Sequence, residues 1–231
     1  MLASHKRGQI ALDYLVIVGL AMALIVLLIG ILVTYSGSLS TAFGQDTLST
    51  AATAIVEQVN YVYSLSPGSI STTAIDFPAM DFPMSHFCGK EAILSYQNSF
   101  SVEQAYVNIS GLLPTTPGLN DVLVRNVDLN GTDTVQIGLY RSISFVGFNY
   151  TLSGNILNYA VEFYNSSGGI IKSPQTFELS VYSPSYSLIN TTVETAPSGT
   201  YSGSILLANP QAASVLLISP IGKGVVFSTC I

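Results

Sequence analysis

Tryptophan is absent from the 231 residues, cysteine and histidine occur twice each, and charged residues make up only 9% of the chain. An ordinary soluble domain carries roughly 25% charged side chains. Each scarcity excludes something. Cys88 and Cys230 by themselves make neither a disulfide-rich scaffold nor a four-ligand zinc site, and His5 and His86 add little, since the four residues do not have the paired spacing of a zinc site. Seven Lys and Arg against 13 Asp and Glu leave a net charge of -6, so there is no basic surface to follow a phosphate backbone, and nucleic-acid binding is set aside. Neither HExxH nor GxSxG occurs. Gly222-Lys223-Gly224 lacks the spacing and the hydroxyl of a phosphate loop and reads as a turn before the last strand. Asp128-x-Asn130-Gly131-x-Asp133 lacks the final acid of a calcium loop and reads as a hairpin turn. His86 stands two residues before Cys88, but no third group is placed to orient a Cys-His pair, so both read as structural. No enzyme activity, metal or cofactor is expected.

What the chain has instead is apolar: 48% of its residues are hydrophobic and its mean hydropathy is +0.50. Residues 14–33 read YLVIVGLAMALIVLLIGILV, twenty positions without a charge. At about 1.5 Å per residue such a helix covers the ~30 Å hydrocarbon core of a bilayer. No second run approaches that length, so a single crossing is expected, and Lys6 and Arg7 ahead of it place the N-terminus in the cytoplasm and everything beyond residue 33 outside.

Beyond a Gly/Ser-rich stretch at 36–44, Leu48, Ala52, Ile55, Val59 and Val62 recur at steps of three and four. This is one face of an amphipathic helix. Asp46 suits its N-cap and Pro67-Gly68 its stop, so residues 9–65 read as one long helix or two coaxial pieces jointed at 36–44. From residue 66 the helical period gives way to short runs rich in Val, Ile, Tyr, Phe and Thr. Leu157, Tyr159, Val161 and Phe163 alternate with polar or small residues, as do Phe177, Leu179 and Val181, so each run has one buried face. Asn130-Gly131 signals a hairpin, while Asn209-Pro210 and Ser219-Pro220 punctuate later strands. The expected class is α+β: a long hydrophobic helix followed by a β-rich, sandwich-like domain at 66–231 of nine or ten strands, undivided or split near 114–118. A fragment starting at Ser66 is expected to fold alone. The near-duplicate DFPAM and DFPM at 76–84 reads as a proline-stiffened loop.

The junction KRGQIALDYLV at residues 6–16 is no ordinary secretory signal, because charge abuts Gly8-Gln9 and no small-x-small site follows the apolar run. It resembles the class III signal peptides of archaeal type IV pilin-like proteins, in which a basic leader ends in glycine and Gln-x-Ser-x-Glu-x-x-x-Leu opens the mature helix. Here the pattern is Gln9-x-Ala11-x-Asp13-x-x-x-Ile17, with Ala for Ser, Asp for Glu and Ile for Leu. The resemblance implies that residues 1–8 are a leader recognised through Lys6 and Arg7 and cut between Gly8 and Gln9 by a prepilin peptidase. It further implies an assembly platform with its ATPase, copies of the same chain in a helical filament, and pairing of the Asp13 carboxylate with the new amino group of Gln9. An unpaired charge at the membrane edge is costly, which gives Asp13 a physical need for a partner.

Gly19 and Ala23, like Gly30 and Thr34, have the small-x-x-x-small spacing that lets helices approach closely. Five sequons, at Asn108, Asn130, Asn149, Asn165 and Asn190, all fall in the part expected outside and are candidates for glycosylation. Cys88 and Cys230 there form either a bridge tying the last strand to the start of the domain or two buried thiols. Thirteen tyrosines and ten phenylalanines suit a surface that contacts other copies or a substratum. The functional expectation is a structural pilin of an adhesive surface filament, glycosylated, held by one membrane span before assembly and extracellular afterwards. The alternative is a membrane-anchored binding module or minor pilin outside the bulk filament.

Overall fold

The computed structural model describes the backbone of residues 3–129, 132–207 and 214–231, with side chains over the same residues except 3–13, 37–41, 128, 129 and 132. The Asn130-Gly131 and Asn209-Pro210 turns lie outside the described residues.

Helix α1 runs Ala3–Tyr63 without a break. It therefore begins ahead of Gln9, and Asp46 sits in its interior instead of capping a second piece. Nothing in the segment forbids this. It contains no proline, and an interior glycine costs a helix only about 1 kcal/mol, which the surrounding Ala, Leu and Ile tolerate. The end is sharper: the backbone N–H of Ser64 donates to the carbonyls of Asn60 and Tyr61, and Pro67 with Gly68 at φ 86° stops the helix.

By packing, the chain divides into two units, Met1–Phe43 and Gly44–Ile231. In the first, every side chain over Tyr14–Ser36 is exposed.

Among its described residues the second unit contains fourteen strands: β1 Ile70–Phe77, β2 His86–Cys88, β3 Glu91–Tyr96, β4 Ser99–Gln104, β5 Asn108–Pro114, β6 Gly118–Leu129, β7 Thr132–Leu139, β8 Phe145–Ser153, β9 Ile156–Tyr164, β10 Gln175–Tyr182, β11 Leu188–Ala196, β12 Thr200–Leu206, β13 Val215–Pro220 and β14 Val225–Cys230. They form an eight-stranded sheet in the order β1-β6-β7-β5-β14-β13-β10-β11 and two three-stranded sheets, β12-β9-β8 and β2-β3-β4. The β5 and β7 pair is parallel and the other ladders are antiparallel. The strands beyond the expected nine or ten include β2, β3 and β4, of three to six residues, too short to leave a readable period. Residues 114–118 join β5 to β6 within one sheet, so they mark a loop and not a second domain boundary.

The faces of β6 and β7 explain the layering. Val122 pairs with Leu139 and Val124 with Ile137, and these four share one core with Leu48, Ala52, Ile55, Val59 and Val62 of α1. All five helix residues are at most 2% exposed. The last five turns of α1 are thus part of the β unit's core. Removing everything before Ser66 would uncover it, contrary to the expectation that such a fragment folds alone. On the opposite face Leu123 pairs with Gly138 and Arg125 with Gln136. Sheet β12-β9-β8 covers that face: a Cβ added to Gly138 would strike the Ser144 carbonyl and the Phe145 ring. The alternation read in β9 and β10 holds, with Leu157, Tyr159, Val161, Phe163, Phe177, Leu179 and Val181 all buried.

Candidate functional site

Assembly chemistry was expected on the helix, and the described part of it is a bare apolar rod. Leu15 is 73% exposed and Val33 67%, at opposite ends of the segment, so no face of it is covered. Gly19 and Gly30 would meet nothing within 4 Å if given a Cβ, so both leave room for a neighbour. Gly30 lies with Leu27, Ile31, Thr34 and Tyr35 along a shallow apolar groove. The Thr34 hydroxyl donates to the Gly30 carbonyl at 2.9 Å, which satisfies it without water. Ala23 is exposed on the same rod. The backbone of Lys6, Arg7, Gly8, Gln9 and Asp13 is helical, and their side chains lie outside the described residues.

The cysteines, 142 residues apart, are joined: Cys88 and Cys230 form a disulfide with Cα atoms 5.1 Å apart. It ties β2 to the end of β14. Close by in sequence, His86 is 4% exposed. Its Nδ1 lies 3.0 Å from the Met84 carbonyl, which fits a neutral ring donating there. Burial lowers its pKa, opposed by hydrogen bonds to the Met84 and Pro83 carbonyls and by the charge of Glu91. Among the described residues no group of three or more His, Cys, Asp or Glu is placed to hold a metal.

Of the sequons, Asn108, Asn149 and Asn190 sit in strands β5, β8 and β11, Asn165 sits in the turn after β9, and Asn130 lies outside the described residues.

A polar cleft of about 90 Å³ that the sequence reading missed lies between β6 and β7 on one side and β8 and β9 on the other. Arg125 and Gln136 line it with Glu162 and Tyr164. The Arg125 Nε and Nη2 donate to Gln136 Oε1 at 2.9 and 2.6 Å. The guanidinium carbon stands 4.3 Å from the Phe145 ring centre and 5.2 Å from that of Tyr164, a cation over two aromatic rings that are paired across β8 and β9. Burial pulls the Arg125 pKa down. The Tyr164 hydroxyl donates to Glu162, and burial, together with that carboxylate, pushes its pKa up to about 12. One signal was available: Arg125 is the only cation between Lys90 and Arg141, inside the apolar strand sequence VLVRNV.

No protein-family model matches the chain, and no curated protein does. Among solved structures, a DUF3823 family protein from Bacteroides ovatus aligns over 71% of this chain and 97% of its own, at 10% identity and a TM-score of 0.29. A calcium-binding mutant of Bacteroides uniformis beta-glucuronidase 2 aligns over 72% of this chain and 26% of its own, at 11% identity and a TM-score of 0.25. Likeness at this level transfers neither fold nor function to the present chain.

Proposed function

We propose that this chain is a structural subunit, a pilin, of an archaeal type IV pilus-like filament that serves adhesion at the cell surface. The supporting observation is the complete exposure of Tyr14–Ser36. A helix apolar on every side is stable in lipid or against other apolar helices, and nowhere else. The same segment would then anchor the subunit in the membrane before assembly and build the filament core afterwards. The β-rich unit, β-sandwich-like, would form the outer sheath.

In this reading the prepilin peptidase cuts between Gly8 and Gln9, removing Lys6 and Arg7. A hydrated cation pair could enter an apolar core only at high cost. The assembly platform and its ATPase then lift the subunit from the bilayer, with Asp13 paired to the amino group of Gln9. N-terminal sequencing tests the first step: the mature chain begins at Gln9, and Gly8→Val stays unprocessed. An intact Met1, or a cut beyond Gly44, contradicts it.

The cleft at Arg125 favours a second reading, a membrane-anchored binding module or minor pilin. Such a chain would carry the same leader and anchor but be absent from the bulk of the filament.

A further inference from the structure

Four sequons have a described asparagine, and their backbones separate them. In a strand the residues at i and i+2 are about 6.8 Å apart, at roughly 3.4 Å per residue, and both are held in the ladder. Asn108 with Ser110 in β5, Asn149 with Thr151 in β8, and Asn190 with Thr192 in β11 all have this extended form. Asn190 is further committed, because its Nδ2 donates to the Leu206 carbonyl at 2.7 Å.

Asn165 differs in each respect. It follows the last residue of β9 and opens the turn Asn165-Ser166-Ser167-Gly168-Gly169, closed by hydrogen bonds from Gly168 N to the Asn165 carbonyl at 3.0 Å and from Asn165 N to the Gly169 carbonyl at 2.9 Å. Gly168, at φ 80°, supplies the left-handed residue that the turn requires. The fold back brings the sequon hydroxyl onto the carboxamide: Ser167 Oγ donates to Asn165 Oδ1 at 2.7 Å. The same oxygen accepts the N–H groups of Ser167 at 3.1 Å and Gly169 at 2.9 Å. The side chain is exposed. Its Nδ2 makes no hydrogen bond to the described residues.

We infer that, among the four described sequons, Asn165 is the one this protein offers, in its folded state, for attachment of an oligosaccharide from a lipid-phosphate donor. In the transfer, Nδ2 forms a bond to the anomeric carbon of the first sugar and the bond from that carbon to the phosphate oxygen breaks. The phosphate leaves with the electron pair, and the displaced Nδ2 proton passes to a base of the transferase. Three donors on Oδ1 stabilise the negative charge that grows there as Nδ2 loses its proton, in the manner of an oxyanion hole. The turn also presents the asparagine without opening a ladder. This inference rests on the external placement of residues 66–231 in the proposed function but not on polymerisation.

The experiment is glycopeptide mass spectrometry of the full chain isolated from cells that produce it, alongside Ser167→Ala, Ser167→Thr and Asn165→Gln. The expected result is a glycan on Asn165 at higher occupancy than on Asn108, Asn149 or Asn190. It is lost in Ser167→Ala and in Asn165→Gln and retained in Ser167→Thr, with the Cys88 to Cys230 bridge intact in each variant as the check on folding. A bare Asn165, whatever occupies the other sequons, overturns the inference, as does full occupancy in Ser167→Ala. Electron microscopy of the same preparation reads polymerisation separately: a glycosylated Asn165 on a chain that forms no filament would sink the pilin reading and leave this one standing.

Discussion

Asn60, on the last turns of the helix, accepts the backbone N–H of Tyr106 through its Oδ1 at 2.9 Å, across 46 residues of sequence. Gln58 Nε2 donates to Ser71 Oγ at 2.6 Å, and Gln45 Nε2 to Ser99 Oγ at 2.6 Å. These bonds flank the buried face of Leu48, Ala52, Ile55, Val59 and Val62, so the helix segment from Gly44 is structurally a member of the β unit.

A fragment beginning at Gly44 should therefore fold, with a cooperative thermal transition, and a fragment beginning at Ser66 should not. Within the longer fragment, Ile55→Ala should cost about 2–5 kcal/mol through transfer and cavity terms. Asn60→Ala should cost about 0.5–1.5 kcal/mol, because water can replace it at the exposed Tyr106 amide. Urea denaturation of the three proteins measures both differences.

Gly138 is a second point of close approach. Its missing Cβ makes room for the Ser144 carbonyl and the Phe145 ring, and a backbone oxygen cannot step aside as a flexible side chain would. Gly138→Ala should destabilise the fold by about 1–3 kcal/mol. It should also disturb the neighbouring stack of Arg125 on Phe145, which chemical shifts of the Arg125 side chain would register.

The disulfide should contribute heavily because of the loop that it closes. With Cys88 and Cys230 separated by 142 positions, the chain-entropy model gives about 4–5 kcal/mol. Replacing both cysteines by serine should lower the denaturation midpoint accordingly, and an unchanged midpoint would show that the bridge constrains the unfolded chain little.

His86 makes stability depend on pH. Burial holds its folded pKa below the ordinary 6.5, so as pH falls through that value the unfolded chain takes up a proton that the folded chain refuses. Stability is therefore full above pH 6.5 and declines below it, until the folded pKa is reached. In His86→Gln the slope of melting temperature against pH over that interval should flatten, whatever the change in absolute stability.

Much of this was legible because it is periodic. The spacing of Leu48 to Val62 announced a helix face, and the alternation in β9 and β10 announced which side of each strand is buried. What the helix face packs against was not legible, since a 3.6-residue period records burial and not the partner. That is why the helix and the β-rich part read as separate bodies. Asp46 illustrates a related limit: a good capping residue is recognised by type, but with no breaker ahead of it the helix simply continues. The stacking of Arg125 over Phe145 and Tyr164 joins residues 20 and 39 positions away in sequence and leaves no periodic trace. Likewise all sequons look alike as text, and among the four described ones only the turn at Asn165 folds the hydroxyl back onto the carboxamide.

Asp13 carries the charge pairing of the assembly account. Asp13→Ala should leave cleavage at Gly8 intact, because the leader is untouched, yet reduce filament yield severalfold. Pulse labelling of precursor and mature chain separates the two effects, and normal assembly of the variant would remove the pairing from the account.

The central claim is polymerisation through the exposed apolar helix, and filaments sheared from the cell surface test it most directly. Electron microscopy with mass spectrometry of the sheared material should find this chain as the dominant subunit, beginning at Gln9, with the segment Tyr14–Ser36 packed against its copies in the filament core. Finding the chain retained in the membrane and absent from the sheared filaments would contradict the claim.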